Sequence, residues 1–165
     1  MQEWLPPLNA HILRWMDPLH PIVGHCVIAM AVISVVFDLA GVWLRKPHLF
    51  EVSFWNLLFA TLAIFVAILF GQVEAGLAQP YGHASAILNW HSTLGWSLAA
   101  ILAVLSGWRY VLRGQDPRRL PLPYLAADGL LVLLVAVQVG LGNQLVWVYG
   151  LHTVPVVEAT RAGLV

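Results

Sequence analysis

The sequence predicts an all-α integral membrane four-helix bundle, with a short N-terminal helix lying along the membrane interface. Three observations support this class: 60% of the 165 residues are apolar, only 10% are charged, and the apolar residues form four long stretches. Soluble domains carry about 25% charged and about 45–50% apolar residues. A nucleic-acid binder is excluded because 8 basic residues balance 8 acidic ones and form no basic face. We therefore predict one transmembrane domain over residues 1–165, embedded in a lipid bilayer.

Proline, glycine and charged residues mark the ends of the four spans. A bilayer core requires roughly 20 apolar residues per helix. The predicted spans cover residues 22–44, 52–73, 84–112 and 124–150. Arg45 and Lys46 close the first span, and Arg113 and Pro117 follow the third. The stretch around His11 is the predicted interfacial helix.

Basic residues in the short loops predict the orientation of the chain. Six of the eight basic residues lie on one side. Arg45 and Lys46 lie between spans one and two, and the other four lie at the end of span three or between spans three and four, namely Arg109, Arg113, Arg118 and Arg119. The opposite side carries only Arg14 and Arg161. We therefore expect a multi-pass protein of the bacterial inner membrane with both termini in the periplasm.

Ionisable residues inside the spans require a partner or a function. Asp38 lies in the first span, and we expect it to pair with Arg109 or Arg113 or to stay protonated. On the second span, Glu74 follows a stripe of small residues, namely Ala60, Ala63, Ala67 and Gly71. The Glu74 carboxylate is a candidate for hydrogen-bonding the second ring nitrogen of a ligand histidine.

Histidines are the most informative side chains. Six of the seven map to the predicted periplasmic side, namely His11, His20, His25, His83, His91 and His152. His91 is the deepest, about 10 Å into its span. Neutral imidazole is a common axial ligand of haem iron, and Gly95, one turn deeper, leaves room for the flat macrocycle. We predict a noncovalent b-type haem between His91 and His25, with His152 as the alternative to His25.

The choice of His25 conflicts with the position of Asp38. The two residues are thirteen positions apart, which places them about 220° apart around the helix axis. They cannot both face the centre of the bundle. His152 fits the inward face of its own helix better, so both alternatives stay open.

Short motifs link the chain to a known type of protein. Leu19, His20 and Pro21, followed by His25 and later by Asp38, resemble a bacterial family of uncharacterised four-helix membrane proteins. Members open with Leu-His-Pro, then Val-His-Phe-Pro, then an apolar run ending in Asp. The similarity continues at three further positions and one segment, namely Gly71, Glu74, His91 and residues 145–156.

The resemblance implies a four-helix fold, inner-membrane residence and a suspected redox role. Residues 24–27 depart from it, because they replace the Val-His-Phe-Pro run. By analogy, the architecture is also similar to four-helix b-type cytochromes.

The predicted function is electron transfer between a periplasmic carrier and quinone or a larger respiratory or photosynthetic complex. Two alternatives stay open. One is a cofactor-free structural or assembly subunit with interfacial histidines. The other is a copper or zinc site built from His25, His91, His152 and Glu74. No nucleophile and base occur at a recognisable spacing, so we expect an electron-transfer subunit rather than a stand-alone enzyme.

Overall fold

The structure is a computed structural model that describes residues 19–78, 80–151 and 153–164. The helices are α1 (Leu19–Leu44), α2 (His48–Ala78), α3 (Gly82–Gln115), α4 (Leu122–Asn143) and α5 (Val154–Arg161). A π-helical turn, Gln144–Val148, continues α4. No β-strand occurs in the described ranges, which confirms the predicted all-α class. The predicted interfacial helix, with His11, and the alternative ligand His152 lie outside the described residues.

Four helices are long and apolar enough to cross a membrane. They are α1, α2 as far as Gly76, α3, and α4 with its π-helical turn. Each begins or ends a few residues beyond the predicted span, and α2 begins at His48 rather than at residue 52. The polar and charged residues at the ends of the spans are helical too. A helix satisfies its own backbone hydrogen bonds where the membrane offers no partner.

Tight connections make successive helices antiparallel. Arg45 takes a left-handed conformation with φ of 55° at the end of α1, and the Lys46 N–H donates to Gly41 O over 3.0 Å. Between α3 and α4, the Arg118 N–H donates to the Asp116 carboxylate over 2.9 Å, which forms a compact turn. Each spanning helix packs on the next, and α4 packs on α1. The result is a closed up-and-down bundle.

Buried positions recur every three or four residues along each spanning helix. On α4 they are Tyr124, Asp128, Leu131 and Val135, and on α1 they are Val27, Ala31, Ser34, Val35, Asp38 and Gly41. This spacing is typical of helices that cross at a small angle. The outer faces are apolar too, with exposed Leu62, Leu69 and Leu133. Such an outer surface suits lipid rather than water.

Candidate functional site

Two polar clusters lie inside the bundle, one near each end. The histidine end comprises His20, Gly71, Glu74, His91, Gln138 and Gly142. The arginine end comprises Asp38, Ser53, Arg109, Tyr124 and Asp128. All four spanning helices contribute to both clusters. On α1 and on α3 the two clusters are eighteen residues apart, which is five helical turns or about 27 Å.

At the histidine end, His20 is held against α2. Its Nδ1 lies 2.7 Å from Ala67 O. A nitrogen beside a carbonyl oxygen carries the proton, so Nδ1–H donates and Nε2 is left as the acceptor of the neutral ring. A Cβ at Gly71 would come within 2.9 Å of the His20 ring, so the glycine makes this close approach possible. These contacts hold the ring against α2 and set its tautomer.

His91 of α3 faces His20. The two ring centroids are 6.1 Å apart and the ring planes are 80° apart. The Gln138 amide nitrogen of α4 lies 3.1 Å from His91 O and 3.2 Å from His91 Nε2, so one amide contacts both the backbone and the ring. A Cβ at Gly142 would lie 3.2 Å from His91 Cε1. The cluster therefore brings two imidazoles together between α1, α2, α3 and α4.

Of the predicted ligands, the structure places His91 in the cluster but not His25. His25 is exposed on the outer side of α1, and its Nδ1 lies 2.5 Å from Pro21 O, one turn earlier. Asp38 is buried, and the angle between the two positions on one helix leaves His25 facing outward. His20 takes the position opposite His91. Glu74 is buried on the face of α2 that carries Gly71.

Gly95 does not provide the room that was predicted for a macrocycle. It is buried, and a Cβ there would lie 3.4 Å from the Gln138 amide nitrogen. The side chain of Gln138 fills the space because it reaches across from α4 to His91. Gly95 therefore permits the close approach of α3 and α4.

The His20 and His91 rings meet edge to face with centroids 6.1 Å apart. Imidazole nitrogens that bound one metal ion from opposite sides, each about 2 Å from it, would give a similar separation of roughly 6 Å. Among the residues that the structure describes, no three His, Cys, Asp or Glu side chains are grouped to hold a metal ion.

At the arginine end, Arg109 joins three helices. Its Nη2 donates to Asp38 Oδ1 over 3.3 Å and to Phe50 O over 2.9 Å. The guanidinium carbon lies 5.3 Å from the centre of the Phe50 ring and 5.6 Å from that of Tyr124. Arg109 is 4% exposed and Asp38 is 1% exposed. This confirms the predicted pairing of Asp38 with Arg109.

Sequence reasoning missed Asp128 and Tyr124, which complete this cluster from α4. Both are buried. The Asp128 carboxyl lies beside the Asp38 carboxyl and the Tyr124 hydroxyl. Gln138 lies on the same inward face of α4. Counting backward by three and four gives Val135, Leu131, Asp128 and Tyr124, which is the signal that would have found them.

A second ion pair lies nearer the surface. The Arg113 Nε donates to Glu51 Oε2 over 2.7 Å, and its Nη2 contacts Glu51 Oε1. The Trp55 indole N–H donates to the same carboxylate over 3.0 Å. Beside this pair, a cavity of about 260 Å³ is lined by eight residues: Pro47, His48, Phe50, Glu51, Arg109, Arg113, Pro117 and Arg118. The cavity reaches the buried cluster at Arg109.

Four apolar spans around two buried polar clusters define an integral membrane helical bundle. The chain belongs to the family described as "Predicted membrane protein (DUF2231)", whose model matches residues 16–155. That match includes all four spanning helices and both clusters, and it confirms the membrane class that the sequence motifs implied. No curated protein and no solved structure gives a match.

Proposed function

We propose that this protein is an electron-transfer subunit of the bacterial inner membrane that holds one b-type haem noncovalently at the histidine end. His91 of α3 and His20 of α1 would hold the haem iron. The observation that supports this proposal is the 6.1 Å separation of their ring centroids inside the bundle. Bound haem iron would supply one-electron chemistry.

The residues around the two imidazoles suit the positioning of ligands. Ala67 O accepts the Nδ1–H of His20, which leaves Nε2 as the nitrogen able to bind a metal. The Gln138 amide nitrogen holds His91 from α4 by donating to its backbone oxygen, and a metal bound at His91 Nε2 would replace the amide contact made there. Glu74 stays a candidate for fixing the tautomer of a ligand histidine, because it is buried on the same face of α2 as Gly71.

The proposed partners follow from the proposed orientation. With both termini in the periplasm, the histidine end lies near the periplasmic surface and the arginine end near the cytoplasm. The subunit would then pass electrons between a periplasmic carrier and quinone or a larger respiratory or photosynthetic complex. The orientation is supported by the clustering of basic residues in the two loops at the arginine end.

Visible absorption of the purified protein tests the haem proposal. We expect a Soret band and an α-band that sharpens on reduction, both lost in His91→Ala and in His20→Ala. The matched controls His25→Ala and His83→Ala change exposed histidines, and they should keep the pigment. Absorbance that survives in His20→Ala but disappears in His25→Ala would contradict the assignment of the ligands.

The same preparation distinguishes the alternatives. A colourless, iron-free protein contradicts the proposal and favours a cofactor-free structural or assembly subunit. Stoichiometric copper or zinc without porphyrin, found by metal analysis, also contradicts it and favours the histidine metal site.

Reporter fusions test the orientation. Alkaline phosphatase fused to either terminus should be active, because that enzyme requires the periplasm. Replacing Arg45, Lys46, Arg118 and Arg119 together should weaken or invert insertion. Cytoplasmic reporters active at both termini of the unaltered protein would overturn the proposed topology.

A further inference from the structure

The cluster at the arginine end contains more acidic than basic groups. Its ionisable side chains are two carboxyls, Asp38 and Asp128, and one guanidinium, Arg109, and none is more than 4% exposed. Ionisation of all three would leave one uncompensated negative charge inside a membrane-spanning bundle. Such a charge is strongly unfavourable there. The cluster therefore requires one further positive charge.

The surrounding helices do not supply a second cation. Besides influencing each other, the two carboxyls interact with Ser53 of α2, Arg109 of α3 and Tyr124 of α4 among the described residues. Of these three, only Arg109 is a cation. The next cation toward the surface, Arg113, is already bound to Glu51. The missing positive charge is therefore not a protein side chain of the described ranges.

We propose that Asp38 and Asp128 form a proton-binding site that holds one proton between the two carboxyls. Neighbouring carboxyls bind a proton jointly, because both cannot be ionised at short range without opposite charge. One shared proton makes the cluster neutral, with one carboxylate facing Arg109.

Atoms beside the carboxyls point to the same site. Asp128 Oδ2 and the Tyr124 hydroxyl are both buried, and neither has a hydrogen bond of ordinary geometry to a described residue. Tyr124 is fully buried, and both carboxyls are among the groups that act on its hydroxyl. A proton on Asp128 gives that carboxyl a donor, which an ionised carboxylate lacks.

The cavity at the arginine end gives the site a route to solvent. Arg109 lines it together with His48 and Arg118, which lie toward the surface. In the opposite direction the core is closed by Leu57, Leu102 and Leu131, each at most 1% exposed. The proton therefore exchanges with the aqueous phase at the arginine end. This inference does not depend on the haem, since a colourless protein would hold the proton equally well.

Infrared spectroscopy of protein labelled with ¹³C at the aspartate carboxyl measures the proton directly. The C=O stretch of a protonated carboxyl is distinct from the bands of a carboxylate, and the isotope label separates aspartate from Glu74. We expect one protonated aspartate per chain at neutral pH, shifted by exchange into D₂O. The band should be absent in Asp38→Asn and in Asp128→Asn, because one carboxylate then balances Arg109.

Removing the guanidinium should have the opposite effect. In Arg109→Gln both carboxyls need a proton, so the band should double in amplitude relative to the amide band. The control Asp116→Asn alters an exposed aspartate and should leave the band unchanged. If Arg109→Gln does not fold, the double variant Arg109→Gln/Asp128→Asn should restore a single protonated aspartate. Absence of the band in the unaltered protein, or its persistence in both single Asn variants, would overturn the proposal.

Discussion

The two ends of the bundle are built from the same four helices but differ in charge and exposure. At the arginine end, ionisable groups are almost fully buried, and Arg109 ties α1, α2 and α3 together. At the histidine end Glu74 is also buried, but the imidazoles of His20 and His91 and the amide of Gln138 are only half-buried. Removing the partner of a buried charge costs much stability, whereas partly exposed groups can exchange partners at a smaller cost. The arginine end is therefore a fixed part of the fold, and the histidine end is the one suited to a cofactor.

Arg109→Met should produce the largest loss of stability. The substitution removes the partner of Asp38 and the donor to Phe50 O, and breaking a buried ion pair costs about 3 kcal/mol. The matched control, Arg113→Met, alters the exposed pair with Glu51 and should cost less than about 1 kcal/mol. Reversible unfolding in detergent micelles measures both. Equal losses for the two variants would show that the arginine end is not a rigid part of the fold.

Gly41→Ala at the arginine end should cost more stability than Gly71→Ala at the histidine end. A Cβ at Gly41 would lie 2.6 Å from Phe50 Cδ1, a buried ring held beside Arg109, so overpacking should cost about 2 kcal/mol. At Gly71 the obstacle is His20, a half-buried side chain that can swing away. Gly71→Ala should therefore cost less than about 1 kcal/mol in unfolding and yet reduce the pigment.

The control for both glycine variants is Gly107→Ala, because nothing lies within 4 Å of a Cβ there. It should leave stability and pigment unchanged. A Gly71→Ala protein that loses as much stability as Gly41→Ala would contradict the distinction between the two ends.

Gln138→Leu should weaken retention of the cofactor without altering the arginine end. The amide nitrogen holds His91 by donating to its backbone oxygen, and groups that orient a metal ligand typically contribute about tenfold or more in affinity. Titration of the haem-free variant with haemin measures the change. Gln72→Leu, on the exposed side of α2, is the control and should bind normally. Equal affinities in the two variants would remove Gln138 from the site.

Ser106→Ala should produce the smallest effect. The Ser106 and Thr61 hydroxyls lie 2.7 Å apart in the core between the two ends. Hydrogen bonds between membrane helices average about 0.6 kcal/mol in double-mutant cycles. A cycle with Thr61→Ala should give a coupling of that size. A coupling above about 2 kcal/mol would mean that the middle of the bundle, rather than the arginine end, fixes the helix pairing.

The fold was largely predictable because long apolar runs bounded by charge leave few alternatives in a membrane. All four spans and the pairing of Asp38 with Arg109 were anticipated. Helix ends were less predictable, because hydropathy detects the apolar run and not the polar turns that extend it. His48 at the start of α2 is an example.

The composition of the candidate site was harder to predict because it depends on which side of each helix faces inward. On α1, counting backward by three and four from the buried Ala31 gives Val27, Gly24 and His20, so the spacing does include His20 on the inward face. The prediction of His25 disagreed with its angle to Asp38, and His25 lies on the exposed side of α1. The contact of Gln138 with His91 depends on the tilt and height of two helices. A single sequence does not specify those.

Near-infrared magnetic circular dichroism of the oxidised protein tests the central claim most directly, because it reports which side chains bind a ferric haem. The account predicts the signature of two imidazole ligands in the unaltered protein and in His25→Ala, and loss of that signature in His20→Ala and His91→Ala. No haem signal at all, or a two-imidazole signal that persists without His20, would contradict the assignment of the histidine end as the redox site.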